Sequence, residues 1–258
     1  MFMIDIKEMS MSSRTILITG ALTGIGRATA ILAARDGLNV VVSGRHDETG
    51  KALEGELRTL GAEAVFIRAD VRQEAEVAAL IDGAVARFGR IDIAVNNAGT
   101  EGRPGPIADQ TAESFAATFD TNVLGTVLSL KHEARVMTAQ GGGSIVNISS
   151  TYGHQGAAYA SIYAGSKHAV EGITKSAALE LAGSGIRVNA VAPGPTETGM
   201  LDRFTGTAEN KAQMAASVPL GRVGHPDEVA RLILFVGSDA AAFVTGQIVA
   251  ADGGKSAG

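Results

Sequence analysis

The chain contains no cysteine, so it can form neither disulfides nor thiolate metal sites, and only five histidines remain as soft ligands. No metal site is expected. It also lacks any apolar run near the roughly 18 residues that a membrane span needs. The opening MFMIDIKEMSMSS has neither the basic start nor the long apolar stretch of a signal peptide. Basic residues are few and scattered: Lys and Arg number 22 against 27 Asp and Glu, a formal net charge of -5. No basic stripe suits a phosphate backbone, which argues against a nucleic-acid partner. These absences predict a cytoplasmic protein with no membrane partner. Residues 1–13 read as a disordered leader, with Met9 or Met11 as alternative starts.

A chain of 258 residues, 45% hydrophobic, is long enough for one large core, and a single domain over 14–258 is expected. Short apolar runs alternate with Ala-rich segments of helical period: TILITG (15–20), NVVVSG (39–44), AVFIRAD (64–70), IDIAVNNAG (91–99), SIVNISS (144–150), IRVNAVAPG (186–194) and GQIVAADGG (246–254). Strands apolar at nearly every position are buried on both faces. That predicts a doubly wound α/β fold, with about seven mostly parallel strands flanked by helices on both faces. There is no internal repeat and no low-complexity linker. One long irregular region, Pro193 to Gln213, is expected to form a lid at about 194–215.

The first strand runs into TGALTGIG, where Gly20, Gly24 and Gly26 punctuate a strand-to-helix turn. Glycines there permit a tight turn and close approach of backbone to a pyrophosphate at a helix start. The spacing G-x-x-x-G-x-G differs from the G-x-G-x-x-G fingerprint, so context must carry the assignment. At the end of the second strand, where an NAD enzyme offers Asp or Glu to the adenine ribose, stand Gly44 and Arg45. No carboxylate repels a 2'-phosphate there, and Arg45 can bind one in a bidentate way, so NADP(H) is the preferred cofactor and NAD(H) the alternative. Asp47 or Glu48 could instead turn back to a ribose hydroxyl. Asp70, ending the third strand, reads equally as an adenine contact or as a cap for the following helix.

Tyr159, Tyr163 and Lys167 are spaced by four, and Ser150 ends a buried strand 13 residues before Tyr163. A lone Tyr-x-x-x-Lys pair is a weak motif, but the serine at that place makes coincidence far less frequent. Reducing a carbonyl by hydride transfer builds negative charge on oxygen, and a donor must supply a proton there. A free phenol titrates near 10 and is a poor base at neutral pH; an ammonium on the same helical face favours the phenolate. Tyr163 is therefore the acid/base candidate and Ser150 the holder of the substrate oxygen, or else a strand-end cap. Ser149 points to the opposite side. Tyr159 reads as a pocket wall at or before the helix start. His154 has no readable partner and is taken as a pocket or surface histidine, while Met200, Phe204 and Met214 read as packing residues that become substrate contacts if the lid covers the site.

Taken together, TGALTGIG, NNAG (96–99), Asn122 in TNVLG, Ser150 in NISS, YAGSK and PGPTET resemble the short-chain dehydrogenase/reductase family, from about Thr15 to Gly254. The resemblance implies a Rossmann fold and a site of Asn122, Ser150, Tyr163 and Lys167. In it Lys167 also binds the nicotinamide ribose and Asn122 anchors a water linking the lysine to solvent; by composition Asn122 could equally be a mid-helix asparagine bonded to its own turn. It further implies cofactor contacts from Thr23 and Ile25 in the glycine turn, Val71 beside Asp70, Asn97, Ala98 and Gly99, and Pro193, Gly194, Thr196 and Thr198. The sequence departs from commoner family text at Thr196, often aliphatic, and at Gly199, often acidic. The expected activity is NADP(H)-preferring interconversion of a small-molecule secondary alcohol and ketone. The alternatives are a sugar 1-dehydrogenase and, from another class, a non-catalytic nucleotide sensor. Apolar helices around 111–139 and 157–182 predict oligomerisation, and the resemblance implies a homodimer or homotetramer.

Overall fold

The computed structural model describes residues 14–257; the expected leader lies outside the described residues. In chain order, β1 (Thr15–Thr19), α1 (Gly24–Arg35), β2 (Asn39–Gly44), α2 (Asp47–Thr59), β3 (Ala64–Arg68), α3 (Glu74–Phe88) and β4 (Ile93–Asn96) build the first half. Then come α4 (Ala112–Phe119), α5 (Gly125–Gln140), β5 (Gly143–Ile148), α6 (Ser161–Leu181), β6 (Ile186–Pro193), α7 (Gly199–Thr205), α8 (Ala208–Ala216), α9 (Pro226–Gly237) and β7 (Ile248–Ala251). The strands form one sheet in the order β3-β2-β1-β4-β5-β6-β7, and every pairing is parallel.

Strand alternation sorts the core into two layers. Ile16, Ile18, Val40, Val42, Ile93 and Val95 pack on one face against Ala30 and Ala33 of α1, Leu53 and Leu57 of α2, and Val229, Ile233 and Val236 of α9. Leu17, Val41, Ala94, Ile145 and Val188 point the other way, onto Leu80 and Ile81 of α3, Leu130 and Met137 of α5, and Ala178 of α6. With both faces covered, β1 is buried at all five positions. The strand order reverses between β1 and β4, and the carboxyl ends of the strands open there into a crevice, where a doubly wound sheet binds its ligand.

Two stretches differ from the sequence reading. The region expected to be irregular from Pro193 to Gln213 holds α7 and α8. Thr198 Oγ1 accepts from the Leu201 N–H to start α7, Gly206 at φ +71° ends it, and Thr207 Oγ1 accepts from the Asn210 N–H to start α8. Threonine caps are legible only once the glycines are seen as stops. Asp70 does not cap α3, whose N-cap is Gln73. It closes a turn instead, its Oδ1 accepting from the Arg72 N–H at 3.1 Å.

Candidate active site

A cleft of about 1000 Å³ runs along the carboxyl edge of the sheet. Its floor at the β1–α1 turn is shaped by glycine. Gly20 and Gly24 adopt φ +62° and +55°, and a Cβ on Gly20 would lie 2.7 Å from Ala98 Cα. Asn97 holds this turn, its Nδ2 donating to the Thr19 and Gly20 carbonyls at 3.1 and 2.9 Å. The Thr23 side chain caps nothing, which leaves the first N–H groups of α1 open toward the cleft. Gly194 passes close to the backbone, a Cβ there meeting Asp252 Cα at 2.7 Å. Narrow backbone approach, open helix N–H groups and glycine at each crossing fit a dinucleotide pyrophosphate.

Thr23, Ile25, Arg45, Asp70 and Val71 line the cleft, as do Ala98 and Gly99 at its centre and Pro193, Thr196 and Thr198 at its far wall. Two predicted residues stand behind the lining. A Cβ on Gly26 would meet Asn97 Nδ2 at 2.5 Å and the Gly20 carbonyl at 2.6 Å, so Gly26 lets α1 pack under the turn rather than touching a ligand. Asn122 is buried in a π-helical segment, Asp120–Leu124. Its Nδ2 donates to the Thr100 carbonyl and to Ser166 Oγ, and its Oδ1 accepts from the Thr100 N–H. The side chain is therefore not bonded to its own turn; it ties the loop after β4 to α6.

Ser150, Tyr163 and Lys167 converge at the middle of the cleft. Ser150 follows β5, and its Oγ accepts from the Tyr152 N–H at 3.2 Å, so the strand-end cap is real; its hydroxyl proton is left to donate toward Tyr163 in the cleft. Ser149 turns away and donates to Glu171 Oε1 at 2.8 Å. Lys167 is buried, donates to the Ile148 carbonyl at 2.8 Å, and sits 5.8 Å from the centre of the Tyr163 ring.

Residues 20–256 match the family model described as Enoyl-(Acyl carrier protein) reductase. The chain is 43% identical over 246 residues to cis-4-hydroxycyclohexanecarboxylate dehydrogenase of Sinomonas cyclohexanicum, covering 95% of this chain and 98% of the relative. It is 38% identical to cyclohexanol dehydrogenase of Acinetobacter sp. (strain SE19), covering 94% of each. The structure of a variant actinorhodin polyketide ketoreductase with NADPH superimposes at a TM-score of 0.91 and 38% identity, over 95% of this chain and 97% of that one.

The chain is a short-chain dehydrogenase/reductase.

As a member of this family it is an oxidoreductase acting on CH–OH groups, and the same fold and length recur in its relatives. The electrostatics of the short-chain dehydrogenase/reductase site depart from the sequence reading. Tyr163 keeps a partly exposed face toward the cleft, yet the protein packed around it pushes the phenol up to about 12. The Ser150 hydroxyl opposes that shift, and the charges of Glu101 and Tyr152 add to it. Lys167, expected to draw the phenol down, is itself pushed down to about 8 by burial and spends a hydrogen bond on Ile148. Desolvation outweighs the attraction between the two groups in the chain itself. Asp70 is held below the usual carboxylate range, first by the Arg72 guanidinium, which spans both its oxygens at 2.5 to 3.1 Å.

Several side chains of the site are not where the sequence suggested. Tyr159 precedes α6 as expected but is no pocket wall: it is 68% exposed at φ +64° and outside the cleft lining. The wall tyrosine is Tyr152, whose ring lies edge-on to Tyr163 at 6.5 Å and 6.2 Å from Phe204. Its place two residues after Ser150 was the available signal. His154 does have a partner, the buried Glu171 carboxylate at 3.0 Å, and it stands outside the cleft. Met200, Phe204 and Met214 all line the cleft. So do Glu101 and Arg203, which form an ion pair across it that no local motif announces.

Proposed function

We propose that this dehydrogenase/reductase interconverts a secondary alcohol and a ketone with NADP(H) preferred, Tyr163 acting as acid/base. The observation that carries the reading is the meeting of three groups: a proton-bearing phenol, a serine hydroxyl bonded to it, and a buried ammonium at one point of the cleft. The nicotinamide, when bound, supplies or takes the hydride. Ser150 Oγ–H and Tyr163 Oη–H orient the carbonyl oxygen, and in reduction the phenol passes its proton to that oxygen as negative charge develops. A phenol held near 12 keeps its proton through neutral pH, which suits the reductive direction. Lys167 places positive charge beside the phenol as its proton leaves, and Asn122 keeps the loop after β4 in register with α6.

The NADP preference rests on the end of β2. Arg45 lines the cleft and no described residue pairs with its guanidinium. A side chain at Gly44 would meet Leu22 at 2.6 Å, so a ribose-binding carboxylate has no ready place there. Asp47 and Glu48 lie in the first turn of α2 and outside the cleft lining. On the substrate side, Tyr152, Phe204, Met200 and Met214 form an apolar wall. That wall supports a cyclic aliphatic alcohol, the class named in the two curated relatives, over a sugar. Exposed Phe115, Leu124, Val127 and Leu179 on α4 to α6 support pairing of two copies, and the cysteine-free composition supports a cytoplasmic setting. No helix among the described residues is long and apolar enough to cross a membrane.

The test is Tyr163→Phe assayed with cyclohexanone and NADPH. Turnover is expected to vanish while NADPH still binds; a substantial residual rate would remove Tyr163 from the chemistry. A panel of ketones that leaves every NADPH unconsumed would favour a nucleotide-sensing role instead.

A further inference from the structure

Helix α7 is fastened over the cleft at two adjacent residues. Arg203 Nε and Nη2 donate to Glu101 Oε1 and Oε2 at 2.5 and 3.2 Å. Phe204 places its ring 6.2 Å from Tyr152 and 6.4 Å from Tyr163. The two ends of the ion pair differ in setting. Glu101 is 8% exposed in the cleft wall, whereas the Arg203 side chain is 64% exposed on the lid. A carboxylate drawn that far out of water needs a compensating charge, and Arg203 is its hydrogen-bond partner on both oxygens.

Glu101 and Tyr163 line the same cleft, and an uncompensated negative charge there disfavours the phenolate. The titratable groups that face Tyr163 are Lys167 on its own helix, Tyr152 from the turn after β5, Glu101 from the loop after β4, and Arg203 from α7. Arg103 and Lys255 line the cleft as well. Of these groups, only Arg203 rides on the lid. At the start of α7 residue 199 is glycine, where a Cβ would stand 3.5 Å from Arg203 Nη1; the carboxylate of that first turn is Asp202, whose charge also acts on Arg203.

We propose that Glu101 and Arg203 are positioning residues for the reaction, coupling the lid to the acid/base tyrosine. When α7 closes, as in this structure, Arg203 covers Glu101 and offsets part of the negative charge that helps to hold the proton on Tyr163. When α7 lifts, the carboxylate is uncovered and the tyrosine keeps its proton. The proposal rests on Tyr163 being the acid/base, and it adds that the readiness of that residue to release a proton depends on lid position.

The decisive comparison is between variants that break the same ion pair from opposite ends. The pH dependence of kcat/KM for cyclohexanol oxidation would be recorded for Glu101→Gln and Arg203→Gln. A mere latch loses the same contact in both, so KM rises alike and the profiles stay in place. Charge coupling moves them apart: toward lower pH in Glu101→Gln and toward higher pH in Arg203→Gln, each by roughly half to one pH unit. Gly199→Asp keeps both partners and offers Arg203 a rival carboxylate, so its profile is expected to move with Arg203→Gln, though by less because Arg203 is still present. Coincident or unmoved profiles would overturn the proposal. A turnover-free readout separates it from the acid/base assignment. The chain has three tyrosines and no tryptophan, so the tyrosinate absorbance lost in Tyr163→Phe reports this residue alone. Its onset should follow the order Glu101→Gln, parent, Arg203→Gln; any other order rejects the coupling even if Tyr163→Phe is inactive.

Discussion

The Lys167 ammonium stands 5.8 Å from the centre of the Tyr163 ring and gives its hydrogen bond to the carbonyl of Ile148, the last residue of β5. One helix thus delivers the phenol and the ammonium, and a strand end fixes the ammonium. Burial has pushed the ammonium down to about 8, so it carries its charge below that pH and loses it above. A rate that needs the positive charge is expected to fall as pH rises through about 8. Lys167→Met should lower kcat/KM by about 10²- to 10⁴-fold and abolish that falling limb. Steady-state kinetics from pH 6 to pH 10, with roughly one-unit spacing, check both outcomes.

Arg45 sits at the end of β2 with no ion-pair partner among the described residues. A guanidinium on a phosphate contributes about 1.5 to 3 kcal/mol, or roughly 10- to 100-fold in binding. Arg45→Ala should therefore reduce the ratio of NADPH to NADH efficiency by that factor, almost wholly through the KM for NADPH. An unchanged ratio would mean that the 2'-phosphate is held elsewhere.

Glu133 on α5 is wholly buried and receives one hydrogen bond, from Asn96 Nδ2 at 3.0 Å. Its Oε1 and the Oδ1 of Asn96 are both buried acceptors without partners. A proton on the carboxyl supplies the donor that this pair lacks, and burial pushes Glu133 up to about 7. Because the folded chain holds this proton more tightly than the unfolded one, the contribution is full below about 4.5 and is lost as pH rises toward about 7. At up to 1.36 kcal/mol per pH unit the loss amounts to roughly 3 kcal/mol. Glu133→Gln, which replaces the proton by an amide N–H, should flatten the stability profile between about pH 5 and about pH 7; urea unfolding at both ends measures it.

Arg187 on β6 binds the end of α9. Its Nη1 donates to the Val236 and Val244 carbonyls at 3.0 Å each, and its Nη2 to Gly237 and Ser238 at 3.3 and 2.9 Å. Removing the fork leaves those carbonyls without donors at a half-buried site. Arg187→Met should cost about 3 kcal/mol in urea unfolding. Arg187→Lys should recover less than half of that, because an ammonium cannot reproduce the planar fork. Activity per folded molecule should stay unchanged, since the residue lies outside the active-site cleft.

Legibility from the sequence followed the range of the interactions involved. Seven strands were readable because each carries its own apolar run, and their all-parallel pairing follows from burial on both faces. Ser150, Tyr163 and Lys167 were readable because two share a helix face and the third ends a strand. The ion pair of Glu101 and Arg203 spans 102 positions and leaves no local signature. Tyr152 was passed over for Tyr159, which shares the spacing of four but occupies a left-handed position before α6 begins and so turns outward. Burial, which a sequence does not display, acts on both groups, pushing the Tyr163 phenol up and the Lys167 ammonium down. Helices α7 and α8 escaped notice because their apolar residues serve the cleft wall, so their periodicity is weak and only the threonine caps mark them.

The reversal of strand order between β1 and β4 divides the cleft by ancestry of parts. One end of the cleft is lined from the turns after β1, β2 and β3, and the other from the loops after β4, β5 and β6. The two halves meet along the central strands and at Asn97, which holds the β1–α1 turn. On the proposed reading, Arg45 at one end and Tyr152, Phe204 or Met214 at the other are exchangeable as separate steps, the first toward a different electron donor and the others toward a different substrate. A lineage, or an engineer, can move along either axis alone.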